Sequence, residues 1–407
     1  MKRAFEFGVY DYASFAGYMI YAACTMVIPV YLIGMSRSLD FSLAGGGMIH
    51  FCRSIFMLAA MLSCGYSASR FGKARPLGTG LLIVGAGMFA VACAPTYGML
   101  LAAVALAGFG KGFFESLVTP FIQDRHAGNQ PGRYINFTHA FWSVGVVLSV
   151  TATSVAVHFG VPWRPVTAVC GALTLIPALL FLSGPKEPRS NSAGTGVFKA
   201  AVGLLSEGRF LLFLLMVFLA GGSEHCLLFW TPSFIGRELG GGALACGAAT
   251  VCFASGMIAG RLGAGVFVPQ NRLFFMLICA ALTGVCAGIF PVFIRSAAPM
   301  FVMMFILGAA TGPLWPSVQS YCADRLKKSD PTLMLILLPC VGIPGCGFFP
   351  WIMGIAGKHV GFRASFMMVP LCHLLLLALL LSERFLFGKR IGPRPEQEKT
   401  SCDRKEE

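Results

Sequence analysis

The sequence predicts an all-α membrane protein in which twelve transmembrane helices form two pseudo-symmetric six-helix bundles. Three observations lead there. Hydrophobic residues make up 56% of the 407-residue chain and charged residues 12%, about half the charge share of a soluble domain. Runs of roughly twenty apolar residues recur along its whole length, each enough to cross the hydrocarbon core as a helix. They show no period-two alternation, which argues against a closed barrel, the other fold that satisfies its backbone in lipid. Finally, Gly108, Gly112, Asp124 and Arg125 recur two hundred positions later as Gly308, Gly312, Asp324 and Arg325. An internal repeat at that distance divides the chain into two similar halves.

The first six spans cover about 8–34, 44–66, 77–94, 98–121, 136–157 and 165–183. Lys2 and Arg3 precede span 1, which is too long for the apolar core of a cleavable signal peptide and holds Asp11. The second six cover about 210–235, 243–267, 273–293, 298–321, 332–356 and 364–386. Residues 1–183 and 210–386 are therefore the two bundles. Pro, Gly, Ser and charge mark 184–209 as a cytoplasmic linker, and 387–407 is a polar cytoplasmic tail of the kind that stays disordered. The repeat extends further: His158 and Gly160 before Trp163-Arg164 parallel His359 and Gly361 before Phe362-Arg363, and Pro29 matches Pro232. Gly108, Gly110 and Gly112 share span 4, and Gly342, Gly345 and Gly347 share span 11. Small residues let helix backbones approach closely in lipid, as either a rocking carrier or a static bundle requires.

The net charge of +14 does not mark a nucleic-acid binder, because the basic residues follow the topology. With both termini cytoplasmic, most Lys and Arg fall on the inner side, at turns such as Arg70, Lys73 and Arg75 or Arg325, Lys327 and Lys328. The expected location is a cell membrane, crossed many times. The fifteen cysteines lie singly, with no Cys-x-x-Cys pair, and read as small packing residues rather than metal ligands. There is no phosphate-binding Gly-x-x-x-x-Gly-Lys-Ser/Thr loop and no room for a soluble catalytic domain. No enzyme activity, metal or cofactor is expected, and energy comes from an ion gradient or from the solute itself. A monomer is expected.

The turn after span 2 reads Gly65-Tyr-Ser-Ala-Ser69-Arg70-Phe-Gly72-Lys73-Ala-Arg75. It resembles the signature loop of the major facilitator superfamily, except that Ser69 stands where the family usually has aspartate. The resemblance gives Gly65, Arg70, Gly72, Lys73 and Arg75 a gating role, with a weaker latch at Ser69. The turn from Gly265 to Arg272 has Pro269 at the aspartate position. Three stretches are similar to the fucose–galactose–glucose:proton symporter group: Gly108 to Glu115, Arg133 to Trp142, and Gly222 to Pro232. That resemblance implies a sugar-like solute and proton coupling through a carboxylate on span 4.

Ionisable side chains at bilayer depth usually face an internal cavity. Glu115 lies about 13 Å from the inner end of its helix, and Lys111 is one turn deeper on the same face. The two suit either a neutralised i, i+4 ion pair or a proton site. Burial favours a neutral carboxyl and a nearby cation favours an ionised one, so a lysine that switches partner couples the proton to conformation. Glu224 falls midway along span 7 as a solute hydrogen-bonder or second proton site. His225 diverges from it by about 100° and is expected to pack elsewhere. His139 and Asn136 suit solute binding or helix-end bonding, and Asp11 lies near the water-accessible inner end of span 1. Arg53, deep in span 2, counters a carboxylate or binds an anionic solute group, whereas the resemblance to the superfamily implies packing and gating for Arg261. Trp142 and Trp315, with Gln319, Tyr18 and Tyr21, offer aromatic plates and hydrogen-bonders suited to a sugar; Trp230 reads as interfacial. Trp315 is the repeat counterpart of Glu115, which favours both as cavity residues.

These features point to proton-coupled uptake of a sugar or similar small polar solute by alternating access. A drug or metabolite exporter, an organic-anion carrier and a non-transporting receptor or channel are the competing readings.

Overall fold

The structure is a computed structural model that describes residues 6–41, 43–127, 131–184, 194–326 and 329–388. Lys2, Arg3, Lys327, Lys328, linker residues 185–193 and tail residues 389–407 lie outside the described residues.

Twelve helices are long and apolar enough to span a bilayer. Those of the first bundle are span 1 (Val9–Leu39), span 2 (Gly45–Phe71), span 3 (Ala74–Cys93), span 4 (Tyr97–Arg125), span 5 (Gly132–His158) and span 6 (Trp163–Ser183). The second bundle holds span 7 (Gly208–Glu238), span 8 (Ala243–Phe267), span 9 (Gln270–Val292), span 10 (Ala297–Arg325), span 11 (Leu333–His359) and span 12 (Phe362–Phe387). With an even number of crossings, the start of span 1 and the end of span 12 share one face of the molecule, called here the terminal face.

Proline explains several departures from the sequence reading. Span 5 starts earlier than expected, its helix opening at Pro131, where a missing N–H costs nothing. Asn136 and His139 consequently sit inside the helix. Span 6 breaks at Thr174 into Trp163–Leu173 and Leu175–Ser183, because Pro177 offers no N–H to the Leu173 carbonyl. Span 10 breaks into Ala297–Thr311 and Leu314–Arg325 around Pro313. Span 2 continues to Phe71, so Gly65, Ser69 and Arg70 lie on its last helical turns and the true turn is Gly72-Lys73. Gly72 has φ +76° and returns its N–H to the Ala68 carbonyl at 3.0 Å, a left-handed helix stop that suits glycine. The latter part of the expected linker is a helix, Gly194–Leu205, whose apolar run places Leu204 in the core.

The bundles pack alike. Spans 1 and 5, 2 and 4, and 3 and 6 pair in the first; spans 7 and 11, 8 and 10, and 9 and 12 pair in the second. The bundles meet through spans 5 and 8 and through spans 2 and 11. The repeated glycines mark these crossings. A Cβ on Gly108 would overlap the Arg53 backbone, and one on Gly308 the Phe253 backbone; Gly112 meets Met57 as Gly312 meets Met257. The neighbours are offset by the same two hundred positions as the glycines. The sequence repeat therefore records one helix crossing built twice.

Candidate functional site

A central cavity of about 50 Å³ opens between the bundles at mid-span depth, space for a few waters rather than for a sugar. Tyr18, Tyr21, Arg53, Glu115, His139 and Trp142 line it from the first bundle, and Glu224, His225, Arg261 and Trp315 from the second.

Arg261 organises the second wall. Its guanidinium pairs with Glu224 at 3.0 Å and lies over the Trp142 ring at 5.5 Å. It donates to the His139 carbonyl at 3.1 Å and Ser143 Oγ at 2.9 Å, both on the opposite bundle. Its Nε donates to the Gly312 carbonyl at 2.7 Å. That carbonyl needs a partner because the residue four positions on is Pro316, which has no N–H. A single side chain thus ties spans 5, 7, 8 and 10. The sequence reading placed Arg261 with gating and packing residues and missed this position on the cavity. The signal was present in Gly312 and Pro316, but its meaning depends on span 8 lying beside them.

On the first wall Lys111 does not pair with Glu115. Its ammonium donates to Thr25 Oγ1 at 2.7 Å and lies over the Tyr21 ring at 5.1 Å. The Thr25 hydroxyl in turn donates a hydrogen bond to the Tyr21 carbonyl at 2.8 Å. The Tyr21 hydroxyl approaches the Glu115 carboxyl. Below it, the Tyr18 hydroxyl and Thr119 Oγ1 both meet His139 Nε2, at 3.0 and 3.1 Å.

His225 lines the same cavity as Glu224, contrary to the expectation that only one of them would. The cavity wraps around span 7, and His225 stacks on His50 with ring centroids 6.0 Å apart. His50 also stacks on Phe229 at 5.6 Å. These contacts join the bundles on the side of the cavity away from the terminal face. Arg53 Nη2 donates to His50 Nδ1 at 2.5 Å, and its buried Nε has no partner.

Two expected solute residues lie elsewhere. Gln319 is fully buried with both amide atoms unpartnered and does not line the central cavity. Asn136 donates to the Gly132 carbonyl one turn earlier at 3.0 Å. It lines a separate cavity of about 350 Å³ near the terminal face, with Arg133, Gly265, Gln270, Ser320 and Asp324. The signature-loop residues are at that face as well. Lys73 forms an ion pair with Asp124 of span 4, Arg70 donates to the Tyr66 hydroxyl at 2.7 Å, and Arg75 is exposed. Asp11 accepts from the Gly8 N–H at 2.8 Å and contacts His126 Nε2 at 2.8 Å, a helix-start arrangement. Trp230 donates to the Pro350 carbonyl at 2.9 Å. A buried Glu383, tied to Arg209 at 2.5 Å and the Tyr321 hydroxyl at 2.8 Å, went unnoticed in the sequence. No group of His, Cys, Asp and Glu suited to hold a metal occurs among the described residues.

A family model described as Major Facilitator Superfamily matches residues 13–329. The chain belongs to the major facilitator superfamily. Like other members of that superfamily it is a transporter and not an enzyme. The fold is similar to a crystal structure of the E. coli fucose:proton symporter, FucP, with a TM-score of 0.73 and 14% identity over 92% of this chain and 98% of that one. A second structure, of FucP in the outward conformation, gives 0.74 and 14% over 92% of this chain and 99% of that one. No curated protein sequence matches the chain. At that identity the likeness is one of fold, and members of one fold carry many solutes.

Proposed function

We propose that this superfamily member is a proton-coupled symporter that takes up a small polyhydroxylated solute by alternating access, with the central cavity as its translocation site. The observation that carries the reading is the unequal state of the two cavity carboxylates. Glu224 is held by Arg261, whereas Glu115 has no ion-pair partner among the described residues. A carboxyl that meets a tyrosine hydroxyl and no cation can exchange its proton with water or solute in the cavity. Lys111, one turn away and bonded to a neutral threonine, can turn towards Glu115 as the bundles rock, and a nearby cation favours the ionised form. Trp142, Trp315, Tyr18 and Tyr21 then offer the apolar plates and hydrogen-bonders that a sugar ring needs. The similarity to a fucose:proton symporter supports the same reading.

The remaining assignments follow from it. Residues 1–183 and 210–386 act as the moving bodies in a monomer, joined by 184–209. The terminal face is cytoplasmic in a cell membrane, as the basic residues at Arg70, Lys73 and Arg75 favour. Gly65, Arg70, Gly72, Lys73 and Arg75 gate that face. The test is uptake of labelled sugars into proteoliposomes with and without an imposed inward proton gradient. Accumulation that follows the gradient is expected; flux that ignores it would remove the coupling.

A further inference from the structure

With each ionisable group in its ordinary charge state, the charges around the central cavity do not cancel within the protein. Arg261 and Glu224 neutralise one another. That leaves Arg53 and Lys111, both buried, against Glu115. Neither cation has a carboxylate partner among the described residues. Lys111 bonds to a neutral hydroxyl. Arg53 bonds to His50 through Nδ1; a ring nitrogen that accepts carries no proton, so that imidazole is neutral. Arg53 Nε is buried and unpartnered, although a guanidinium has five donors and a buried charge without a counter-ion is costly. Arg53 lines both the central cavity and a smaller one beside it that includes Phe229.

We propose that the solute carries an anionic group, a carboxylate on a polyhydroxylated frame, and that Arg53 binds it. The proposal rests on the central cavity being the translocation site. The planar guanidinium fork matches a carboxylate, while Trp142 and Trp315 face the frame. The same arrangement couples the proton to the solute. Protonating Glu115 adds one positive charge to a site already in excess, which favours the anion; binding the anion favours a protonated Glu115 in turn, because the linkage is reciprocal. Tyr18, Tyr21, His50, His139 and His225 also face this cluster, as do Lys111 and the Arg261–Glu224 pair. Protonating a histidine would favour the anion in the same sense, so Glu115→Gln is the substitution that separates the sources.

The experiment is equilibrium binding to the purified full chain of glucuronate against glucose and galacturonate against galactose, with lactate as an anion lacking the frame, at acidic and alkaline pH. Each acid is expected to bind at least about tenfold tighter than its parent sugar, the scale of one charge-assisted hydrogen bond. Arg53→Gln should lower acid affinity by about 10- to 100-fold and leave the parent sugar little changed, with Arg53→Lys between. Glu115→Gln should hold acid affinity at alkaline pH near its acidic-pH value. If Arg53→Gln does not fold, the acid-to-sugar ratio in the unsubstituted chain and in Arg53→Lys carries the test. A parent sugar bound as tightly as its acid, or an equal loss of both in Arg53→Gln, overturns the proposal, as does binding of none of the anions. Lactate binding that Arg53→Gln abolishes would support the anion site and remove the sugar-like frame. Acid binding without flux in proteoliposomes would keep the anion site while the transport reading fails.

Discussion

Glu115 and Trp315 occupy equivalent positions in the two halves and face one cavity, yet they serve different chemistry. The carboxyl can hold a proton; the indole can only present a surface. Glu115→Gln is therefore expected to abolish accumulation driven by a proton gradient while leaving solute exchange, since a neutral mimic still reorients. Accumulation by the variant at the unsubstituted level would end the coupling role. Trp315→Ala should weaken solute binding by on the order of 1 kcal/mol through loss of a stacking face, read as a dissociation constant on protein that still elutes as folded. Lys111 shows what spacing alone leaves open. The i, i+4 distance permits a pair with Glu115, but Thr25 on span 1 offers a closer partner, and only the packing of spans 1 and 4 brings it there.

At the scale of elements, prolines decide where backbone groups become available to side chains. Pro316 leaves the Gly312 carbonyl open, and Arg261 takes it. Restoring the N–H with Pro316→Ala should let span 10 close that bond internally and loosen the Arg261 network, seen as slower transport with little loss of thermal stability. Unchanged transport would show that the Arg261 network does not depend on the Gly312 carbonyl. Arg261→Ala is the harsher change, because it strands a buried carboxylate. About 3–5 kcal/mol of destabilisation is expected, measured by thermal unfolding in detergent, and adding Glu224→Gln should recover part of it. The glycine crossings make a matched pair of tests. Gly108→Val and Gly308→Val should both impair folded yield, since each side chain meets the backbone of the neighbouring helix where no rotamer avoids it.

For the whole molecule, the bundles touch on both sides of a cavity too small for a sugar, so solute entry requires one set of contacts to part. Near the terminal face, Arg133 Nε donates to the Gly265 carbonyl at 3.3 Å, and a Cβ on Gly132 would meet Ser320 Oγ at 2.7 Å. Gly132→Trp should wedge this side open. Faster amide hydrogen exchange is expected at the start of span 5 and the end of span 8, with spans 2 and 11 unchanged at the far face. Unaltered exchange at both would mean the bundles do not separate there.

Apolar length, the absence of alternation and the two-hundred-residue repeat are properties of the chain read linearly. Lipid leaves so few backbone solutions that they suffice for twelve helices in two bundles. Depth along a helix is linear too, which is why Glu115, Glu224, Arg53, His139 and both cavity tryptophans could be singled out. Which way a side chain turns and what it meets are not linear properties. Gln319 has the depth of a solute residue but does not line the central cavity, and Asn136 faces a different cavity because its side of span 5 packs beside Gly265 of span 8. Arg261 looked peripheral until span 8 was laid against spans 5, 7 and 10. The choice of partner for each buried charge belongs to the tertiary structure alone, because in a low-dielectric interior it depends on which atom of another helix stands within hydrogen-bonding reach.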